Sequence, residues 1–79
     1  MAASLVYVTT GSPEEAERIG AMLVERRLAA CVNILDRMRS LYWWKGKVES
    51  ADEVVLLAKT RTDRVSRLVE AVVEAHSYE

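Results

Sequence analysis

Residues 30–59 have the pattern of one long β-hairpin. The first arm begins with an apolar run, the turn falls in the string WKGK at residues 44–47, and the return arm contains the apolar run VVLLA at residues 54–58. An arm over residues 31–44 would span roughly 46 Å at the usual strand rise. The helix predicted just before it, at residues 13–27, is only about 22 Å long. A helical layer of that length cannot cover the whole hairpin.

The far half of this hairpin carries the string LYWW at residues 41–44. Side chains alternate between the two faces of a strand, so Tyr42 and Trp44 share one face while Leu41 and Trp43 share the other. Uncovered apolar patches usually mark interaction surfaces, and aromatic residues on both faces favour strand-on-strand packing between subunits. The sequence therefore predicts an oligomer. Stacking of a ligand or a single-stranded base on these rings is the alternative interpretation.

The composition excludes several classes of protein. Eleven basic and twelve acidic residues give a net charge of −1, which lacks the positive footprint of a nucleic-acid-binding protein. No apolar run approaches the roughly 18 residues that a membrane span requires, and the first residues lack the basic segment of a signal peptide. A single cysteine cannot form an internal disulfide, which fits a reducing compartment. We therefore expect one cytoplasmic domain over residues 1–79, with neither nucleic acid nor membrane as a partner.

The local signals predict an α+β architecture. Residues 5–9 form an apolar, β-branched run, consistent with a buried strand. Ser12 can cap a helix that begins with proline, and Glu15 completes a capping box. Thr62 or Asp63 can cap a second helix. The apolar positions at helical spacing are Ala16, Ile19, Gly20 and Leu23 in the first helix, and Val65, Leu68, Val69 and Val72 in the second, which runs on to His76.

The resulting order β-α-β-β-α is the ferredoxin-like order without its last strand. In that fold the last strand pairs beside the first, so residues 5–9 would be central in a complete sheet. Without the last strand, this apolar run would be a bare sheet edge, which proteins normally avoid. We therefore expect a ferredoxin-like domain that is truncated, or one that is completed by another polypeptide. An RNA-recognition domain shares the element order, but it would need aromatic residues on its inner strand, and residues 53–59 contain none.

Three residues are candidate metal ligands, namely Cys31, His76 and Glu79. His76 is the only histidine, and the favoured interpretation is a residue at a helix C-terminus that interacts with the last carbonyls. A role in a ligand pocket or in metal binding is the alternative. Cys31 opens the hairpin, where a small buried hydrophobe is the usual role. A metal bound by Cys31, His76 and Glu79 is conceivable, but these residues do not form a clustered ligand motif.

Two further stretches could bind anions. Arg61, Arg64 and Arg67 form a basic stripe on the second helix. The favoured interpretation is a solvated face with neighbouring glutamates as helical partners, and a site for phosphate or an acidic ligand is the alternative. The string TTGS at residues 9–12 could present backbone N–H groups to an anion, although a turn followed by a helix cap explains it fully.

Five groups of residues occur in a fixed order along the chain. They are VTT followed by PEE within residues 8–15, RLAACVNI at 27–34, YWWKGK at 42–47, LAKT at 57–60 and HSYE at 76–79. Together they resemble the CutA family of divalent-cation tolerance proteins over essentially the whole chain. The resemblance implies that a last strand and a C-terminal helix, which follow the equivalent of Glu79 in that family, are missing here.

The resemblance also carries expectations about assembly and function. It implies a ferredoxin-like subunit in a tight homotrimer, with long strands pairing between subunits. It implies a fold relationship to PII-type signalling proteins and an association with tolerance to copper and other divalent ions. In the family, the cleft between subunits is a suggested ligand site, here for a small anionic or metal ligand. The matching positions are Tyr42, Trp44, Lys59 and His76.

The same resemblance limits the metal ligands. Some relatives are thought to bind copper through a cysteine in the loop after the first strand and the histidine of the second helix. The matching loop positions here are Thr9 and Thr10, so that only His76 and Glu79 carry over as metal ligands. Copper or another divalent cation is therefore the cofactor to test.

The leading hypothesis is a non-enzymatic, homotrimeric binding or signalling protein linked to metal-ion tolerance. No arrangement of residues in the sequence supports catalysis. An acylphosphatase shares the fold but requires an anion-binding loop with an arginine, which is not found here. Two alternatives stay open: a protein that binds copper directly through His76 with Cys31 or Glu79, and a structural trimer scaffold without a ligand.

Overall fold

The computed structural model describes residues 2–76. In chain order the elements are β1 (Ala3–Thr10), α1 (Pro13–Glu25), β2 (Cys31–Trp44), β3 (Lys47–Arg61), a 3-10 turn (Thr62–Arg64) and α2 (Val65–His76). The three strands form one antiparallel sheet in the order β1-β3-β2. The predicted α+β, ferredoxin-like order is confirmed, and within the described residues β1 stands at the edge of the sheet.

The first helix begins at its predicted cap. The Ser12 hydroxyl accepts a hydrogen bond from the Glu15 N–H at 3.1 Å. The Glu15 carboxylate reaches one residue further back than a capping box requires, because its Oε1 accepts a hydrogen bond from the Gly11 N–H at 2.7 Å. The helix ends at Glu25, before the predicted end, because Arg27 adopts a left-handed conformation with a φ of 59°. Glycine usually occupies this position after a helix.

The second helix starts differently from the prediction. The Thr62 hydroxyl is hydrogen-bonded to the Ser4 hydroxyl at 2.8 Å, and the Asp63 carboxylate accepts from the Arg61 guanidinium at 2.8 Å. The 3-10 turn that precedes α2 begins without a side-chain cap. The prediction that Thr62 or Asp63 caps the helix is therefore wrong, because both side chains bind neighbours instead.

The hairpin turn lies where the sequence predicts it. Lys45 and Gly46 connect the two long strands, with φ values of 49° and 80°. Two consecutive residues with positive φ are the pattern of a tight hairpin turn whose twist matches that of the strands. Trp44 is therefore paired directly with Lys47, at the tip of the hairpin.

Strand β2 carries a β-bulge that the sequence pattern does not reveal. Leu35 pairs with Val55, and the next regular pair joins Met38 to Glu53. Two residues of β2 thus oppose one residue of β3. The second of them, Arg37, has a φ of 62°, so the bulge is built around a left-handed residue.

The bulge reverses the face to which the even-numbered residues of β2 point. Before it, Val32 and Ile34 point toward the helices and lie 3.2 and 3.9 Å from the position that a Cβ on Gly20 would take. After it, Tyr42 and Trp44 lie on the opposite face, which the helices leave uncovered. We call this surface the open face. Its apolar members are Leu5, Tyr7, Leu35, Met38, Tyr42, Trp44, Val55 and Leu57, with Cys31 and Lys59 at one end.

The core lies between the helices and the near half of the sheet. Ile19 and Leu23 of α1, Leu56 of β3 and Leu68 of α2 are completely buried, which confirms the predicted inner faces of both helices at these positions. Burial of each such side chain contributes about 1.5–3 kcal/mol. Val69 was expected in the core, but it is 43% exposed. The residues of α2 that face the core are Leu68 and Val72 instead.

Strand β1 is less buried than predicted. Val8 and Thr10 face the core, whereas Leu5 and Tyr7 are 59% and 60% exposed on the open face. The prediction of a fully buried strand is therefore wrong for the described chain, since only one face of the sheet is covered by helices.

The far half of the hairpin projects beyond the helices, as predicted. Leu41 and Trp43 lie on the helix side of the sheet, past the end of the helical layer, and they are 68% and 71% exposed. The described chain is 44 Å long in its largest dimension and 24 Å in the next. The tip therefore carries aromatic side chains on both faces without cover from its own subunit.

Candidate functional site

A groove between β1 and α2 leads to the only histidine of the chain. It has a volume of about 280 Å³ and is mostly apolar. Its lining residues are Val6, Tyr7, Val8, Thr9, Leu68, Val69, Val72, Val73 and His76. His76 is the last residue of α2, so the groove joins an apolar strand edge to one polar, metal-capable side chain.

His76 faces a buried carboxylate at this end of the groove. Its Nδ1 lies 3.4 Å from Oε2 of Glu15, whose side chain is 9% exposed. The other carboxylate oxygen of Glu15 accepts from the Gly11 N–H. Glu15 thus joins the turn before α1 to the end of α2. With Nδ1 directed at the carboxylate, Nε2 is the imidazole atom available to a ligand.

Glu15 is the site residue that the sequence analysis missed. The motif S-x-x-E identified it as part of a capping box, and no signal in the sequence relates it to His76. The favoured interpretation of His76, an interaction with the last helical carbonyls, also missed this contact. The proximity depends on how α2 packs across α1, which is a tertiary property.

The predicted metal ligands, His76 and Glu79, stay a prediction. Glu79 lies outside the described residues. Within residues 2–76 no group of three or more histidine, cysteine, aspartate or glutamate side chains could hold a metal ion. His76 and Glu15 supply two donors, fewer than the three or four that zinc and copper sites use. A complete metal site therefore requires donors beyond those in residues 2–76 of one subunit.

Cys31 does not belong to the same site as His76. It pairs with Lys59, which in turn pairs with Leu5, at the end of the sheet where α2 begins. His76 ends α2 and lies beside Thr9, near the opposite end of β1. Cys31 is also half-buried on the open face rather than in the core. Both the core interpretation and the metal pair of Cys31 with His76 are therefore wrong within one subunit.

The four residues of the suggested inter-subunit cleft are not adjacent within one chain. Tyr42 pairs with Glu49 near the tip, and Lys59 lies ten positions further along β3, roughly 33 Å away at the usual strand rise. Trp44 lies at the tip itself, where Lys45 Nζ stands 5.8 Å from the centre of its ring. Because His76 lies on the helix side of the sheet, a cleft containing all four would require a second subunit.

The turn after β1 is a structural element and not an anion site. The Thr10 hydroxyl donates to the Val54 carbonyl at 3.0 Å, and the Gly11 N–H donates to Glu15. Ser12 is engaged as the helix cap. These groups are used within the fold, which confirms the interpretation as a turn and cap.

Comparison with known proteins identifies the family. A model of the family described as CutA1 divalent ion tolerance protein matches residues 4–79. The divalent-cation tolerance protein CutA of Archaeoglobus fulgidus is 44% identical over 75 residues, which cover 95% of this chain and 72% of that protein. A CutA homolog of Xenopus laevis is 49% identical over 76 residues, which cover 96% of this chain but only 50% of that protein.

Solved structures support the same relationship. A CutA1 from Thermus thermophilus superimposes with a TM-score of 0.86 at 42% identity, covering 92% of this chain and 71% of that one. A CutA from Archaeoglobus fulgidus, described as periplasmic, gives a TM-score of 0.87 at 43% identity, covering 96% and 74%. The family model spans nearly the whole chain and the fold agrees with these structures, so this chain belongs to the CutA1 divalent ion tolerance family.

Proposed function

We propose that this chain is a non-enzymatic subunit of a homotrimer that serves divalent-cation tolerance by binding a ligand between subunits. Membership of the family supports the tolerance role. The homotrimer and the site between its subunits rest on the resemblance and on the surfaces of this chain. We also propose a cytoplasmic location, for which the single free cysteine is the supporting feature.

The open face is the observation that carries the proposal. Leu5, Tyr7 and Leu35 are each more than half exposed on this face, and Tyr42 and Trp44 add exposed aromatic rings at the tip. The polar residues Ser40, Glu49 and Glu53 lie between these two apolar parts. A soluble monomer rarely leaves so many large apolar side chains grouped and uncovered. Packing against further copies of the chain would bury it, at a gain of about 25 cal/mol for each Å² of apolar area.

Assembly would also complete the ligand site. Within one chain, the tip residues lie far from Lys59 and on the other side of the sheet from His76. A hairpin that extends past its own helices can reach a neighbouring subunit, where its Tyr42 and Trp44 would approach residues of that subunit. The proposed ligand is small and is either anionic or a metal ion, because Lys59 and His76 offer one cation and one imidazole.

Native mass spectrometry of the chain and two variants tests the assembly. Leu35→Lys places a charge on the open face, where 53% of the residue is exposed, and Val24→Lys places the same charge on the outer side of α1, where 44% is exposed. We expect trimers for the parent chain and Val24→Lys, and folded monomers for Leu35→Lys. A monomeric parent chain, or a trimeric Leu35→Lys variant, would refute the proposed interface.

Direct copper binding is the second candidate, favoured by the pairing of His76 with Glu15. A carboxylate at Nδ1 fixes the orientation of a ligating imidazole in many metal sites. Calorimetric titration with Cu²⁺ should show a saturable site that is lost in His76→Ala and retained in Cys31→Ser, since Cys31 lies at the other end of the sheet. Unchanged affinity in His76→Ala would dismiss this function.

A further inference from the structure

We propose that a groove lined by arginine residues, at the end of the sheet where α2 begins, binds a phosphate-type oxyanion. The groove has a volume of about 590 Å³ and lies between the end of α1, the start of β2 and the end of β3. Its lining residues are Val24, Glu25, Arg27, Ala29, Ala30, Thr60, Arg61 and Arg64. It is separate from the site at His76, which lies at the other end of α2.

The groove carries more positive than negative charge. Three arginines and one acidic residue, Glu25, line it. The Asp63 carboxylate, which is not part of the lining, is bound to the Arg61 guanidinium at 2.8 Å. The whole chain, by contrast, has one more acidic than basic residue. The groove is therefore positively charged, although the chain as a whole has a net charge of −1.

The backbone of Arg27 ends α1, but its side chain is not used within the described residues. Its guanidinium forms no ion pair or hydrogen bond with any side chain or carbonyl in residues 2–76. Its backbone adopts a φ of 59°, a left-handed conformation that is unfavourable for any residue with a Cβ and that usually selects glycine at a helix end. Strained backbone conformations occur preferentially at functional sites, and here the strained residue places a free cation at the groove.

Arg64 connects the 3-10 turn to the end of α1. Its Nη1 donates to the Arg27 carbonyl at 2.5 Å, so the side chain of the 3-10 turn is held against the end of α1. A guanidinium has five N–H donors, and this bond uses one of them. The contact fixes the position of the half-buried Arg64 relative to Arg27 while leaving donors for a ligand.

The walls of the groove leave room for an oxyanion. Ala29 and Ala30 contribute small side chains, and the Thr60 hydroxyl donates to the Leu28 carbonyl at 2.6 Å, which holds the loop before β2 against β3. Guanidinium groups bind phosphate oxygens in pairs of parallel hydrogen bonds. The basic stripe expected from the sequence is thus divided, since Arg61 and Arg64 line the groove with Arg27, and Arg67 does not.

A titration followed by ¹⁵N NMR tests the proposal on the full chain. Inorganic phosphate and pyrophosphate would be added separately at constant ionic strength, with chloride as the compensating anion. We expect saturable shifts of the amide signals of residues 27–30 and 60–64, and tighter binding of pyrophosphate than of phosphate. Shifts that stay linear, or that spread over all exposed arginines, would mean an adventitious ion only and would overturn the proposal.

Two variants separate binding from folding. Arg27→Gly removes the guanidinium but supplies the residue that the left-handed backbone favours, so the fold should be retained. We expect a loss of pyrophosphate affinity of about tenfold, the usual effect of one charge-assisted hydrogen bond. Arg39→Gln is the matched control, because Arg39 is an exposed arginine of β2 outside the groove, 4.0 Å from Asp52. The pyrophosphate affinity of this variant should equal that of the parent chain. Equal affinity of Arg27→Gly and the parent chain would overturn the proposal whatever the outcome for trimer or copper binding.

Discussion

The carboxylate of Glu15 makes one contact within its own helix start and one contact with a distant segment of the chain. One oxygen accepts from the Gly11 N–H and the other lies 3.4 Å from His76 Nδ1. The first contact is local to the start of α1, and the second joins elements that are distant in the chain. Because the side chain is only 9% exposed, its charge has to be met by such partners rather than by water.

Replacing Glu15 with Ala should therefore cost about 2 kcal/mol in the free energy of unfolding, because the Gly11 N–H loses its acceptor and His76 loses its partner. Urea denaturation of the variant measures this loss. Glu14→Ala is the control, since Glu14 is exposed in the same first helical turn and should cost less than about 1 kcal/mol. Equal stability of the two variants would contradict the role assigned to Glu15.

The β-bulge of β2 matters at the scale of the element. A strand without it would alternate regularly from Val32 to Trp44, and Tyr42 and Trp44 would point toward the helix side. With two residues of β2 opposing one of β3, these rings lie on the open face instead. A one-residue irregularity in the middle of the strand thus decides which side chains the tip presents on each surface.

Insertion of one alanine between Glu53 and Val54 should reverse this arrangement, because the added residue would oppose Arg37 and restore one-to-one pairing. We expect Leu41 and Trp43 to move to the open face and Tyr42 and Trp44 to leave it, while the core around Leu56 is retained. The proposed trimer should then be lost, which light scattering measures, and the NMR contact between Tyr7 and Met38 on the open face should disappear. Arg37→Gly is the control, because it keeps the bulge and suits the φ of 62°. A trimeric insertion variant that keeps the contact of Tyr7 with Met38 would refute this role of the bulge.

At the scale of the whole molecule, the helices are shorter than the sheet they cover. The large apolar side chains at the tip of the hairpin and most of those on the open face remain exposed, whereas the core around Ile19, Leu23, Leu56 and Leu68 is complete. Folding of the chain and the proposed association of chains therefore depend on different residues. This separation makes the two processes distinguishable by mutation.

Trp44→Ala should weaken assembly by about 2 kcal/mol per subunit, the size typical of a buried aromatic residue at an interface. The free energy of unfolding of the dissociated chain should change by less than about 0.5 kcal/mol, because the side chain is exposed there. Sedimentation velocity over a dilution series measures the first quantity and denaturation of the dilute chain the second. Val24→Ala, on the outer side of α1, is the control. An unchanged trimer in Trp44→Ala would count against the tip as part of the interface.

The elements with local signals were predictable. The string that begins at Ser12 predicts the start of α1, and the pair Lys45-Gly46 predicts the turn. Helical spacing identifies Ile19, Leu23 and Leu68 as core residues. Capping, turn geometry and periodicity act over a few residues, so the sequence displays them directly. The β-α-β-β-α order, and with it the ferredoxin-like fold, followed from those signals. The five ordered groups of residues identified the correct family.

The site was less predictable, because it depends on contacts between distant segments. The sequence alone determined that His76 ends the second helix, that the hairpin outruns its helical cover and that the tip is aromatic. The tertiary structure alone decided that Glu15 faces His76, that Cys31 lies at the other end of the sheet, and that Arg27 meets Arg61 and Arg64 in one groove. Strand register, a bulge and the packing of α2 across α1 set these neighbours, and none of the three leaves a local pattern in the chain.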